Sequence, residues 1–110
     1  MKFRFIEDPG HGWLEVDRAD LNRFGLGAST SGCSYQNRDK VYLEEDCDAG
    51  PFVDAVKAAG NTVEIVTVYQ ENTPIRNYAG YTPRGAQTIQ ERDEEKQQRV
   101  MQFVATIERA

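Results

Sequence analysis

The sequence has no long run of apolar residues, neither within the chain nor at its start. A membrane-spanning helix needs about 20 consecutive apolar residues, and no stretch approaches that length. A signal peptide needs an apolar core of about 7–15 residues, which the opening MKFRFIEDPGHG does not contain. We therefore expect a cytoplasmic protein that does not associate with a membrane.

Basic side chains are fewer than acidic ones. The 110 residues include 13 Lys and Arg against 18 Asp and Glu, which gives a formal net charge of −5. A negative surface repels nucleic-acid phosphates, and this disfavours direct binding to DNA or RNA. It favours a protein partner with a basic surface, including a surface that normally receives nucleic acid.

Cysteine is scarce, since the chain has only Cys33 and Cys47. The alternation in CSYQNRDKVYLEE predicts two strands joined by a turn at NRD. If Gln36 pairs with Lys40, Cys33 lies opposite Leu43, four positions short of Cys47. At about 3.3 Å per strand residue, that offset is too long for a disulfide. We expect two reduced thiols, with the pKa of Cys47 raised by the carboxylates around it.

Hydrophobic residues make up 39% of the chain and charged residues 28%, as in an ordinary folded domain. Period-two alternation predicts strands, and apolar spacings of three and four predict helices. The predicted order is strand 2–6, strand 13–16, helix 17–25, two strands around the turn at 37–39, helix 48–60, strand 61–71 and loop 72–85. The strand at 61–71 is β-branched and nearly apolar, so we expect it at the centre of a sheet.

This order predicts a single α+β domain, a mostly antiparallel sheet with two short helices packed on it. We assign residues 1–83 to this core domain and residues 84–110 to a longer, partly projecting C-terminal helix. An apolar stripe at helical spacing near its end consists of Val100, Phe103, Val104 and Ile107. We expect the stripe to pack against the core or against a second copy of the chain, in a homodimer.

The stretch YLEEDCDAG places four carboxylates around Cys47, those of Glu44, Glu45, Asp46 and Asp48. Alternation along a strand points Glu44 and Asp46 to one side. It points Glu45 and Cys47 to the other, and Asp48 lies where the N-terminus of a helix favours an anion. The carboxylates therefore do not converge, and no EF-hand, HExxH or CxxC pattern is present. We predict no metal and no cofactor, and interpret the stretch as a negative surface.

His11 is the only histidine and lies between two glycines, just before the only tryptophan, Trp13. In a cleft it could act as a general acid or base with a serine or carboxylate from residues 29–48. No nucleophile motif such as GxSxG frames it. The alternative is a turn histidine whose ring hydrogen-bonds locally, in a chain without catalytic residues. We expect Trp13 to lie in the core or at its rim.

The segment ENTPIRNYAGY has two interpretations. Arg76 and Tyr78 belong to residue types enriched at interface hot spots, and loops held by a sheet often bind partners. Alternatively, Ile75 and Tyr78 fill the edge of the core while Arg76 pairs with an acidic residue such as Glu71. The sequence leaves both open, together with the question whether His11 and this loop form one ligand site.

Three blocks of sequence, GHGWLEV, SYQNRDKVYLEEDCDAG and ENTPIRNY, keep a distinctive order and spacing over residues 3–78. In these blocks the chain resembles a family of small uncharacterised proteins of bacterial chromosomes, phages and plasmids. The resemblance implies no catalytic residue. It implies the context of accessory proteins of mobile elements, some of which antagonise host defence.

These features predict a small, acidic, non-enzymatic binding protein, and the resemblance implies that it is of phage or mobile-element type. The resemblance adds the expectation of an inhibitor of a host defence complex, an anti-CRISPR or anti-restriction protein. The residues predicted to contact the protein partner are Glu44, Glu45, Asp46, Asp48, Arg76, Tyr78 and Trp13. The alternatives are a hydrolase-like or transferase-like enzyme that uses His11, and a self-associating structural module.

Overall fold

The computed structural model describes residues 1–83 and, near the end of the chain, two short extended segments. These segments, β7 (Ala105–Thr106) and β8 (Glu108–Arg109), pair with each other as strands and not as part of a helix. The rest of the helix predicted over 84–110, with its apolar stripe, lies outside the described residues. That helix, the homodimer through it and the domain boundary at residue 83 stay predictions.

Six strands form one sheet: β1 (Lys2–Glu7), β2 (Gly12–Asp17), β3 (Tyr35–Asn37), β4 (Lys40–Glu44), β5 (Glu64–Tyr69) and β6 (Ala79–Gly80). Two helices, α1 (Arg18–Arg23) and α2 (Ala49–Ala58), and a 3₁₀ turn (Pro74–Asn77) complete the described elements. The strand order is β5-β1-β2-β4-β3-β6. Within this six-stranded sheet only the β1–β5 pair is parallel, so the predicted α+β class and mostly antiparallel sheet are confirmed.

The two helices cover one face of the sheet. Alternation along β1, β2 and β4 directs apolar side chains to this side. They pack with Leu21 of α1 and with Phe52 and Val56 of α2, all fully buried. The buried strand residues of this face are Phe3, Leu14, Val16, Val41 and Leu43. Neither helix in this part of the chain is long and apolar enough to cross a membrane.

The opposite face is covered by residues 71–78, which we call the strap. The strap leaves β5 at one edge of the sheet and leads to β6 at the other, so it crosses this face. Its Ile75 is buried together with Ile6, Trp13 and Tyr42 of the central strands. The sheet therefore has a helical layer on one side and a single strap of chain on the other.

The strand predicted for the centre of the sheet lies at its edge. Among the described strands β5 pairs with β1 alone, and the side chains of Ile65, Val66 and Tyr69 are 46%, 42% and 58% exposed. β-branched and aromatic residues favour extended backbone whether or not both sides are covered. The composition of 61–71 thus predicted the strand correctly and its position wrongly.

The β3–β4 hairpin differs from its predicted register by one residue. Asn37, not Gln36, pairs with Lys40, and a two-residue turn with a positive φ of 60° at Arg38 joins the strands. A shift of one residue moves side chains to the other face. Tyr35 is consequently opposite Tyr42, on the face that the strap crosses.

Both helices begin and end within two residues of their predicted bounds. Gly25 and Gly60, which follow α1 and α2, have φ of 81° and 93°, in the region that glycine tolerates best. Asp17 precedes α1, yet its carboxylate accepts a hydrogen bond from Lys40 Nζ at 2.7 Å and none from the helix. Asp48 precedes α2 and also forms no cap.

Candidate functional site

A cleft of about 390 Å³ opens on the strap face, at one end of the sheet. Four segments meet there: the turn between β1 and β2, the loop that leads into β3, the chain that follows β4, and the 3₁₀ turn of the strap. The lining residues are His11, Trp13, Cys33, Tyr35, Glu44, Asp46, Cys47 and Arg76. We call this the cleft below.

Asp48 holds two walls of the cleft together from behind. Its buried carboxylate accepts hydrogen bonds from the Ser31 amide at 3.1 Å, the Ser31 hydroxyl at 2.7 Å and the Ser34 hydroxyl. The Ser34 oxygen in turn accepts from the Glu44 amide at 3.0 Å. This set of bonds, the clamp, ties the loop before β3 to the turn after β4 and explains why Asp48 does not cap α2.

The carboxylates of Glu44 and Asp46 line the cleft because β4 ends at Glu44. The next residues form a turn in which the Asp48 amide donates to the Glu44 carbonyl at 2.9 Å. A Glu44 carboxylate oxygen accepts from the Asp46 amide at 2.8 Å. The strand alternation expected through Cys47 therefore stops early, and Cys47 joins Glu44 and Asp46 instead of pointing away from them.

Cys33 and Cys47 are free and exposed, and their side chains are hydrogen-bonded. The offset predicted from regular strand pairing was wrong, because the clamp folds the chain at both cysteines out of the ladder. The bond to Cys33, followed by one to Glu44, raises the pKa of the Cys47 thiol to about 12. The raised pKa expected for Cys47 is confirmed, with Cys33 as its main cause.

Arg76 connects the strap to the turn between β1 and β2. Its guanidinium donates to the Asp8 carboxylate, with Nε to Oδ2 at 2.8 Å, and its Nη2 lies 2.8 Å from His11 Nδ1. The Arg76 hydrogen bond holds the pKa of Asp8 well below its usual range, and Asp8 raises that of Arg76. Because guanidinium groups only donate, His11 Nδ1 is the acceptor and is not free to act as a base.

Trp13 forms the aromatic wall of the cleft. His11 stacks on its ring at 5.9 Å, Tyr35 meets it edge-on at 6.3 Å, and the Arg76 guanidinium lies 5.6 Å from the ring centre. Trp13 is 1% exposed, and its indole Nε1 has no hydrogen-bond partner among the described residues. The wall therefore has a buried donor whose hydrogen-bonding capacity is unused.

The residues predicted to contact a partner fall into two groups. Glu45, Asp46 and Arg76 are exposed at or near the mouth of the cleft, whereas Trp13, Glu44 and Asp48 are buried. The buried three present little surface to a macromolecule. Trp13, Glu44 and Asp48 would contribute to a partner site by forming the cleft and its clamp. They do not form a continuous acidic patch on the surface.

The strap combines both interpretations of its sequence. Ile75 is buried, and the half-buried Tyr78 packs on Tyr42 with ring centres 5.3 Å apart, so both fill the core edge. Arg76 forms an ion pair, but with Asp8 and not with Glu71. At the same time Arg76 lines the cleft with His11, so the lone histidine and this loop do share a site.

Sequence reasoning missed Asp8, Cys33 and Tyr35 as parts of the site. Asp8 had a local signal, because aspartate before Pro-Gly commonly accepts turn amides, and its Oδ1 accepts from the Gly10 and His11 amides at 2.9 and 2.7 Å. The position of Tyr35 in the cleft depends on the register of the β3–β4 hairpin, and that of Cys33 depends on the clamp.

The donor set does not form a metal site: within residues 1–83, no three His, Cys, Asp or Glu side chains are placed to hold an ion. What the cleft offers is an aromatic wall beside carboxylates, a combination that suits an organic cation. Comparison of the chain with protein-family models, curated proteins and solved structures gives no match.

Proposed function

We propose that the protein is a non-enzymatic binding protein of the cytoplasm that captures a basic side chain of a protein partner in the cleft. The observation that carries this proposal is the placement of Glu44 and Asp46 beside Trp13 and Tyr35 in one open cavity. Carboxylates pair with guanidinium or ammonium groups, and aromatic faces attract the same cations. A partner's arginine satisfies both at once.

The charge around the cleft favours such a guest. Arg76 also lines it, but the Asp8 carboxylate lies 2.8 Å from its guanidinium and offsets its charge. Glu45 and Asp46 stand exposed beside the opening without a basic partner among the described residues. The local field is thus negative, which accelerates encounter with a basic surface and makes the association rate fall with salt.

The class of partner follows from the net charge of −5 and from the resemblance to mobile-element proteins. A host defence complex that binds nucleic acid presents basic side chains arranged to receive phosphates. An acidic protein that inserts one such side chain into its cleft would compete for that surface. Inhibition of a CRISPR or restriction complex is the activity we propose on this basis.

The experiment uses Trp13, the only tryptophan of the chain, as a reporter inside the cleft. N-acetyl-arginine amide is titrated into the protein while the indole emission is followed, with N-acetyl-glutamine amide as the uncharged control. Saturable quenching by the arginine compound alone is expected. Equal responses to both compounds would rule out a cation-selective cleft.

Charge-matched variants then test the partner site itself. Glu45→Lys with Asp46→Lys changes the net charge as much as Asp54→Lys with Glu64→Lys, which lie on α2 and at the start of β5. Proteins captured from host lysate by the wild type are purified, and their binding rates to the wild type and to both variants are measured against salt. At least a tenfold weaker association is expected for the first variant, and equal losses in both variants would refute the site.

A further inference from the structure

The two cysteines occupy a wall of the cleft that capture of a cation does not require. Both residues line the cavity, both are exposed, and a hydrogen bond joins their side chains. We propose that Cys33 and Cys47 are a thiol–disulfide exchange site for low-molecular-weight disulfides, with Cys33 as the attacking sulfur and Cys47 as the resolving one. This inference does not depend on the identity of the protein partner.

The geometry is prepared by the clamp. Ser31 and Ser34, which flank the Cys33 loop, are bonded to Asp48, the residue after Cys47. The clamp thereby connects the two segments that carry the cysteines. A disulfide requires sulfurs about 2.05 Å apart, and the two side chains already interact in the same wall of the cleft.

The roles differ because the two thiols have different surroundings. The Cys47 side chain is hydrogen-bonded to Cys33 and to the Glu44 carboxylate, and these neighbours raise the pKa of the Cys47 thiol to about 12. The Cys33 amide, by contrast, is fixed by the Ser31 hydroxyl oxygen at 3.1 Å. The thiolate is the attacking species in exchange reactions, so Cys33 is the sulfur in a position to attack.

The exchange balances in two steps. The Cys33 thiolate attacks one sulfur of the small disulfide, breaks its S–S bond and forms a mixed disulfide, while the leaving thiolate takes the proton that Cys33 lost. Cys47 then gives up its proton and attacks the Cys33 sulfur. The bond to the small thiol breaks, the second leaving thiolate takes this proton, and the protein disulfide remains. Two protein thiols are oxidised and one disulfide is reduced to two thiols.

The test uses the full-length protein in buffers of reduced and oxidised glutathione, with intact mass and maleimide-reactive thiols as readouts. The wild type should pass through a transient glutathione adduct to an internal disulfide, accompanied by a change in Trp13 emission. Cys47→Ser should stop at a stable adduct on Cys33. Cys33→Ser should react at least tenfold more slowly at Cys47.

Several outcomes would overturn the proposal. One is a wild type that keeps the glutathione adduct or forms disulfide-linked dimers instead of an internal disulfide. Another is equal reactivity of the two single variants. Asp48→Asn adds a check on geometry: once its far-ultraviolet circular dichroism shows it folded, adduct formation should persist while ring closure slows. Unchanged closure in that variant would also contradict the role given to the clamp.

Discussion

At the scale of single residues, the cleft depends on a carboxylate that does not line it. Asp48 lies behind the wall and receives three hydrogen bonds from Ser31 and Ser34. Its place before a helix suggested an anion favoured by the helix N-terminus or a contact with a partner. Asp48 bonds to Ser34 and Ser31, 14 and 17 positions earlier in the chain, and such distant hydrogen bonds leave no local sequence pattern. The role of Asp48 in the clamp could therefore not be predicted from the sequence.

Replacing Asp48 with alanine should lower the free energy of unfolding by about 2–3 kcal/mol, because buried hydroxyl and amide donors lose a charged acceptor. Asp46→Ala is the matched control: it is exposed and lies two residues away, so a change within about 0.5 kcal/mol is expected. Urea unfolding followed by Trp13 fluorescence measures both. Similar losses in the two variants would mean that Asp48 is not a structural residue.

The ion pair between Arg76 and Asp8 should make stability depend on acid pH. The hydrogen bond from Arg76 lowers the pKa of Asp8 in the folded state, whereas an unfolded aspartate has a pKa of about 3.9. The stabilisation is therefore complete above about pH 5 and is lost as the pH falls below it. The difference in urea midpoint between the wild type and Asp8→Asn should shrink from pH 7 to pH 3.

The difference in urea midpoint between the wild type and Arg76→Gln should also shrink from pH 7 to pH 3, because this variant removes the main cause of the lowered pKa of Asp8. Arg23→Gln is the control, because its pair with Asp20 is exposed and longer, at 3.5 Å, and such surface pairs contribute little. A difference between wild type and Asp8→Asn that stays constant from pH 7 to pH 3 would show that the pair does not contribute in this way.

At the scale of elements, periodicity located most strands and both short helices but could not order them. The strands predicted at 2–6 and 13–16 and the helices predicted at 17–25 and 48–60 follow from local patterns, and the structure confirms them as β1, β2, α1 and α2. The edge position of β5 depends on which strands pair with β1, and β5 joins it from about 60 residues away. Side-chain type does not record such pairing.

Gly12, the first residue of β2, should not tolerate a side chain. A Cβ there would lie 2.3 Å from Phe5 Cζ and 2.6 Å from its Cε2, so the ring must move. We expect Gly12→Ala to lower the free energy of unfolding by about 1–3 kcal/mol through overpacking. Gly32→Ala is the matched control, because nothing lies within 4 Å of its Cβ position. Equal thermal midpoints for the two variants would contradict this account.

At the scale of the whole molecule, most residues of the site could be singled out from the sequence, but their convergence in one cleft could not be predicted. His11, Trp13, Glu44, Asp46 and Arg76 each attracted attention for local reasons and all line the cleft. They come from three segments: β2 and β4 bring two of them together by pairing Trp13 with Glu44, and the third, with Arg76, joins them because the strap crosses the sheet from edge to edge. That crossing requires the strand order, which the sequence does not reveal.

If the strap is a structural layer of the molecule, its one fully buried side chain should matter for the entire fold. Ile75 is 2% exposed and packs with Trp13, whereas Ile65 on β5 is 46% exposed. Ile75→Ala should therefore cost about 2–5 kcal/mol of unfolding free energy, and Ile65→Ala no more than about 0.5 kcal/mol. Native Trp13 emission should shift only in the Ile75 variant. Comparable losses, or an unshifted spectrum, would mean that the strap lies on the sheet without supporting it, and the cleft would then have no fixed wall at Arg76.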